Sequence, residues 1–276
     1  MQKKTRRYLP EEKWRCERAC HAIGRQATGR ASMRPVISSD PAVCPHSVDR
    51  PIMVHHWDDL TFLHWSFAPD VLQRLLPHSL TVETYDDRAW VGLVPFMMRV
   101  GTAGVSSVPY VSRFCETNVR TYVTDGAGRS GIWFFSLDAA RLGAVVTART
   151  TYRLPYFWSR MSLHRTGANI SYSCVRRWPG PRGARSDVAI EIGDAYAAHE
   201  LEARDHWLTA RWTLFSVRGS RARFARAFHE PWPLRRARVM SCHDELLAAG
   251  GLPPNDDEPI AHFSDGVEVQ IGRPER

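Results

Sequence analysis

Apolar and polar residues alternate over much of the chain beyond residue 51, with the period of β-strands. "LTVETYDDRAWVGLVPFMMRV" (80–100) predicts two strands about a turn at Asp86-Asp87-Arg88. "FCETNVRTYV" (114–123) predicts another, followed by the turn cluster "DGAGRSG" (125–131) and a returning strand "IWFFSL" (132–137), which is a hairpin pattern. "VTARTTYRL" (146–154), "NISYSCVRR" (169–177), "DVAIEI" (187–192) and "GVEVQI" (266–271) read as further strands. "ARWTLFSV" and "RARFARAF" flank a tight "RGS" turn and predict a second hairpin.

Helical spacing is scarcer and comes in short runs. "APDVLQRLLPHS" (68–79) places Pro69 in a first turn and Val71, Leu72, Leu75 and Leu76 on one stripe. "DAARLGAV" (138–145) and "HELEARDHWL" (199–208) read as helices, and Ser241 and Asp244 suit a helix start before "ELLAAGG", which Gly250-Gly251 stops. The total is about ten strands and four or five short helices that do not alternate regularly, which disfavours a parallel doubly wound sheet. The fold class expected is β-rich α+β: a mostly antiparallel, curved or closed, cone-like β-barrel with short peripheral helices.

Residues 1–50 break the pattern. "LPEEKWRCERACHAIGRQ" (9–26) could form a short helix, and the Ser-, Pro- and Gly-rich stretch after it reads as a linker. The net charge of +8 concentrates here: residues 1–50 hold eleven Lys/Arg against five Asp/Glu (+6), and the remaining 226 residues hold 26 against 24 (+2). The expectation is a basic, disordered arm over 1–50 and a single domain over 51–276. With the basicity confined to an arm, and Trp133 and Phe135 at alternating strand positions that suit a core, no nucleic-acid partner is expected.

Composition excludes several chemistries. The longest apolar run, "VGLVPFMM" (91–98), falls far short of the ~20 residues of a membrane-spanning helix, so neither a membrane anchor nor a secretory signal is expected. The six cysteines, at 16, 20, 44, 115, 174 and 242, make no C-x-x-C pair, which suits a reducing cytoplasmic location. Cys16, Cys20, His21, Cys44 and His46 fit no common zinc module; the adjacent His55 and His56 would point opposite ways on a strand and could not share a metal. No phosphate-cradling glycine loop, H-E-x-x-H or G-x-S-x-G motif occurs, so neither metal nor cofactor is expected.

The chemistry concentrates on the strand at 114–123. Alternation places Glu116, Asn118, Arg120 and Tyr122 on one face, and Cys115, Thr117, Val119, Thr121 and Val123 on the other. At ~3.3 Å per residue, Asn118 and Arg120 lie about 7 Å apart and Glu116 and Arg120 about 13 Å apart. One reading is architectural: Arg149 and Asp138 pair with the charges of this strand and hold a sheet together. The other is a polar-lined pocket. In it Arg120 clamps an anion, Asn118 orients it, Glu116 moves a proton, and Tyr156 and Tyr122 donate to a developing oxyanion. His64, in "TFLHW", is a further candidate for the lining, although a core histidine suits its context equally. His229, in "HEPWPL", is expected to anchor its loop.

Seven ordered motifs, "WDDLTFLHWSF", "AWVGLVPFMM", "FCETNVRTYV", "GIWFFSLDAA", "ARTTYRLPY", "HEPWPL" and "HFSDGVEV", resemble the YqjF-like family of uncharacterised conserved bacterial proteins over about residues 51–272. The family is placed by fold beside acetoacetate decarboxylase. That resemblance implies a cone-like antiparallel barrel with a central pocket. It also implies that Glu116 is the counterpart of a strand glutamate facing the cavity, and that "RLPY" (153–156) is the counterpart of the segment carrying the Schiff-base lysine. Here the lysine position falls on Tyr156. The only lysines, Lys3, Lys4 and Lys13, lie in the arm, so the domain holds no side-chain amine able to form an imine. Three readings follow: a small anionic ligand undergoing acid–base chemistry at Glu116 and Tyr156, a non-catalytic ligand sensor or carrier, or a filled barrel serving structure or interaction.

Overall fold

The structure is a computed structural model and describes residues 40–101, 113–219 and 221–275. The expected helix at 9–26, and with it Cys16, Cys20 and His21, lies outside the described residues.

Thirteen strands among the described residues join one sheet. In chain order they are β1 (Met53–Phe67), β2 (Leu80–Val82), β3 (Thr84–Tyr85), β4 (Arg88–Gly101), β5 (Arg113–Asp125), β6 (Ser130–Ala139), β7 (Tyr156–Thr166), β8 (Asn169–Trp178), β9 (Arg185–Ala195), β10 (Thr213–Arg218), β11 (Arg221–His229), β12 (Leu234–Asp244) and β13 (Ile260–Ile271). Four short helices accompany them: α1 (Pro69–Gln73), α2 (Leu142–Thr147), α3 (Ala203–Thr209) and α4 (Leu246–Ala249). The predicted turn at Asp86-Asp87 is present, both residues taking positive φ. Among the described residues no helix is long and apolar enough to cross a membrane.

The pairings close the sheet on itself twice. A shared wall, β13-β1-β4-β5-β6, is completed on one side by β7-β8-β9-β12 and on the other by the β10–β11 hairpin. Neighbours pair antiparallel except β6–β7 and β6–β10, which are parallel. The two circuits enclose different interiors. The larger is filled by side chains of both its walls, including Leu63, Leu93 and Val119 from the shared wall and Ile170, Val188 and Ile190 facing them from β8 and β9. The smaller holds the cavity described below.

Five stretches differ from the sequence-based expectation. The predicted helix at 138–145 starts later, because Asp138 and Ala139 still belong to β6. The predicted strand at 146–154 is instead the end of α2 and a π-helical turn at Ala148–Tyr152, closed by Arg153 in the left-handed region (φ 54°). Val146, Thr147, Thr150 and Thr151 favour strand locally. The chain must, however, cross over from β6 to begin the parallel β7, and parallel neighbours cannot be joined by a hairpin. Strands β1, β7 and β12 were not evident in the alternation. In β1 the acidic pair Asp58-Asp59 interrupts the pattern; there Asp59 adopts φ 49° and the register against β4 slips, so a bulge bends the strand around the wall.

Asp138 and Arg176 form a fully buried ion pair, with Arg176 Nη2 donating to Asp138 Oδ2 at 2.6 Å and Nε to Oδ1 at 2.9 Å. Ser159 Oγ donates to the same carboxylate at 2.7 Å, and Phe157 stacks under the guanidinium at 3.7 Å. Arg149 donates to the Tyr156 carbonyl at 2.6 Å. Neither Asp138 nor Arg149 is therefore the ion-pair partner of Arg120 or Glu116 that an architectural reading of β5 requires.

Closure of the smaller circuit depends on a close approach at Gly131. A Cβ there would lie 2.5 Å from the Thr213 carbonyl oxygen and 2.8 Å from the Phe215 ring. Gly131→Val is expected to push β10 off β6 and cost roughly 1–3 kcal/mol, the usual range for overpacking. Urea denaturation measures this, and an unchanged midpoint would mean that the contact does not constrain closure.

Candidate functional site

The site starts from the burial of β5. Every residue from Glu116 to Val123 is buried, so this strand has no solvent face. Val119 joins the filled interior. The opposite row, Glu116, Asn118 and Arg120, faces a cavity of about 720 Å³ inside the smaller circuit. The three are only 2%, 6% and 4% exposed.

Arg120 is under-satisfied. Its Nη2 donates to the Leu208 carbonyl at 3.4 Å, a long contact, a further side-chain bond runs to the Tyr122 hydroxyl, and the guanidinium lies 5.3 Å from the Phe62 ring. Its Nε has no hydrogen-bond partner, nor does Asn118 Oδ1. No carboxylate pairs with Arg120 among the described residues. Arg211, also buried, differs in having a carboxylate partner: Nη1 donates to Glu83 and Ser130 and Nε to the Trp207 carbonyl, although its Nη2 has no partner. A buried cation without a counter-anion is costly to maintain.

Glu116 meets Tyr156, whose hydroxyl donates to the carboxyl at 3.2 and 3.3 Å. Leu137 pairs with Tyr156 across β6 and β7, which sets the tyrosine at the start of its strand beside β5. Burial pushes the Glu116 pKa up to about 8, and the charge of Asp138 adds to the rise; the Tyr156 hydrogen bond opposes both without overcoming them. Tyr156 is itself raised well above the usual phenol value by burial and by Glu116. At neutral pH the pair is thus mostly a carboxylic acid beside a phenol.

The remaining sequence candidates lie elsewhere. Tyr122 shares the β5 face but is fully buried behind the cavity lining, where its hydroxyl donates to the Leu208 carbonyl at 2.5 Å. His64 Nε2 is 2.7 Å from the same hydroxyl. The tyrosine proton goes to the carbonyl, so His64 must donate from Nε2; this leaves Nδ1 as an acceptor, and that atom has no partner. Burial, with Arg120 nearby, holds the His64 pKa well below its ordinary value, so the ring is neutral. His64 and Tyr122 form a structural pair in the packing beside Arg120. Gly92 makes room for it, since a Cβ there would sit 3.0 Å from His64 Nε2. His229 lies between Trp212 and Trp232, with Nδ1 on the Glu230 carbonyl, as an anchor for its loop.

The cavity also recruits residues that the alternation did not single out as a site. Trp57 and Met98 come from the shared wall, Leu214 and Ala225 from the hairpin, and Ala144 and Tyr152 from the crossover. His55 lines it while His56 turns toward Glu268, the opposed directions expected of neighbours on a strand. Only the inward alternation of "TLFSVR" marks the hairpin contribution in the sequence, and that pattern does not tell a cavity from a core.

Residues 54–268 match the family described as an uncharacterized conserved protein. "Uncharacterized protein YqjF" of Bacillus subtilis (strain 168) is 32% identical over 219 residues, covering 79% of this chain and 89% of that protein. This chain belongs to the YqjF-like family. Among solved structures, the enduracididine biosynthesis enzyme MppR complexed with pyruvate superposes with a TM-score of 0.57 at 12% identity, over 82% of this chain and 90% of that one. An acetoacetate decarboxylase-like enzyme from Sphingomonas wittichii RW1 gives 0.55 at 15% identity, over 83% and 94%. At such identities the likeness establishes an acetoacetate decarboxylase-like fold. The YqjF-like chain combines that fold with a tyrosine beside its buried glutamate and with no lysine after Lys13.

The raised Glu116 pKa has a measurable sign. Between the ordinary carboxylate value of 4.5 and about 8, the unfolded state has lost the proton that the folded state keeps, so stability falls as pH rises through this window and levels off above it. Relative to Glu116→Gln, which stays neutral throughout, wild type should lose on the order of a few kcal/mol across the window. Thermal or urea unfolding of both proteins at several pH values tests this; a pH-independent difference would show that Glu116 is ionised in the fold.

Proposed function

We propose that this YqjF-like protein binds a small organic anion in the smaller circuit of its β-sheet, and that Glu116 and Tyr156 support imine-free acid–base chemistry on a bound carbonyl or carboxylate compound. The observation that carries the binding reading is a set of buried, unpartnered polar atoms on residues that line an open cavity: Arg120 Nε and Asn118 Oδ1 on β5, with both ring nitrogens of His55 on β1. An anion would supply the partner that Arg120 lacks, with two parallel hydrogen bonds available from the guanidinium fork. Asn118 would fix its orientation. A cavity of this size also argues against a barrel plugged by its own side chains.

The catalytic part rests on Glu116. A carboxyl with a pKa of about 8 is protonated at neutral pH and still able to lose its proton, as a group exchanging one with substrate must be. Tyr156 holds the carboxyl and adds a second donor to the cavity. A sensor or carrier would use the same anion clamp without drawing on this proton.

Arg120→Met separates a binding role from an architectural one. If the guanidinium waits for a ligand, its removal relieves an unpaired buried charge, so the ligand-free variant should be as stable as wild type or more so. Short carboxylic acids should raise the wild-type melting temperature, their amides should not, and the variant should bind the acids at least ~30-fold more weakly. A strongly destabilised Arg120→Met protein, or equal acid binding by both proteins, would refute the assignment.

A further inference from the structure

The cavity is far larger than its polar corner, and the two differ in character. At roughly 30 Å³ per water, 720 Å³ corresponds to about two dozen waters, whereas the anion clamp at Arg120 and Asn118 engages one small group. The polar cluster stands on one side, on β5 and the start of β7. The facing side, from β10, β11 and β13, presents Leu214, Phe224, Ala225 and Ile271, with Ser216 as its polar exception. At the Glu116 end of β5 the lining continues through Phe114 and Met98. The other titratable groups of the lining are His55, Arg141 and Tyr152, and burial lowers the His55 pKa to about 4, so its ring is neutral at ordinary pH.

A two- to four-carbon acid bound at Arg120 would leave most of this space to water against apolar walls that offer it few hydrogen bonds. An acid carrying an apolar body would place its head at Arg120 and displace that water, gaining the burial of both surfaces. Resting on the anion-binding reading above, we propose that the ligand is an amphipathic monocarboxylic acid with a medium-length alkyl or arylalkyl body, and that the face formed by β10, β11 and β13 selects for that body.

The series butanoate, hexanoate, octanoate and decanoate, with 3-phenylpropanoate, tests the class by calorimetry on the full chain. Burying each added methylene in the cavity should tighten binding about fourfold through the middle of the series, with a plateau once the cavity is full. Ala225→Trp, which fills the apolar side, should abolish that gain and leave butanoate binding unchanged; Ala144→Phe serves the same purpose on the crossover should the first variant not fold. Arg120→Met should weaken every acid by a similar factor. Butanoate bound through Arg120, with no gain along the series or the same gain in the filled variant, would overturn the proposed ligand class and leave anion binding intact. Acids that bind wild type and Arg120→Met equally, or bind neither, would overturn both.

Discussion

The organisation of this molecule follows from a strand that is buried on both faces. A sheet that closes twice must share a wall, and β5 lies in that wall, so neither of its rows of side chains reaches solvent. Alternation then assigns one row to each interior. Val119 and its neighbours complete a packed core, while Glu116, Asn118 and Arg120 are committed to the other side. Polar side chains in such a place must be satisfied within the protein or by something that enters. Tyr122 takes the first course, through the Leu208 carbonyl and His64; Arg120 and Asn118 do not.

The same wall explains the electrostatic state of Glu116. Close by, Asp138 is buried with Arg176 bound along both carboxylate oxygens and Ser159 added to one of them. Two buried carboxyl groups of neighbouring strands thus differ in their partners. The one given a guanidinium and a hydroxyl forms an ion pair, and the one given only a phenol has its pKa driven up by burial. The fold relatives place this chain among acetoacetate decarboxylase-like structures, but the residue beside its glutamate carries no amine. An imine between that residue and a carbonyl compound is therefore not available.

Much of this was legible in the sequence, and the failures have physical causes. The alternation of 114–123 identified β5 and its polar row, and the glycine-rich turn after it located the β5–β6 hairpin. The pairing of Glu116 with Tyr156 was suggested by resemblance and is present in the structure at hydrogen-bond distance. Periodicity states that two residues share a face but not whether that face looks onto space or onto packed side chains. His64 and Tyr122 were therefore grouped with the site although their hydroxyl–imidazole contact lies behind the cavity lining. The crossover at 146–154 misled for a related reason: its β-branched residues express a local preference that the parallel placement of β7 overrides. The Asp138–Arg176 pair joins residues 38 positions apart on strands that are not neighbours, and no local pattern encodes such a meeting.

Both circuits are fastened to the shared wall at narrow seams. The β10–β11 hairpin meets β6 through the single pair Leu214–Ile132 and meets β13 through only Ala227–Ile271, Phe228–Gln270 and His229–Val269. The side that completes the filled interior is tied to the wall by three pairs between β6 and β7 and three between β12 and β13, although ladders within it, such as β8–β9, run longer. Backbone bonding thus concentrates inside the wall β13-β1-β4-β5-β6, so the alignment of Glu116 and Arg120 along one strand draws on the most densely bonded part of the molecule rather than on the seams that shut either interior.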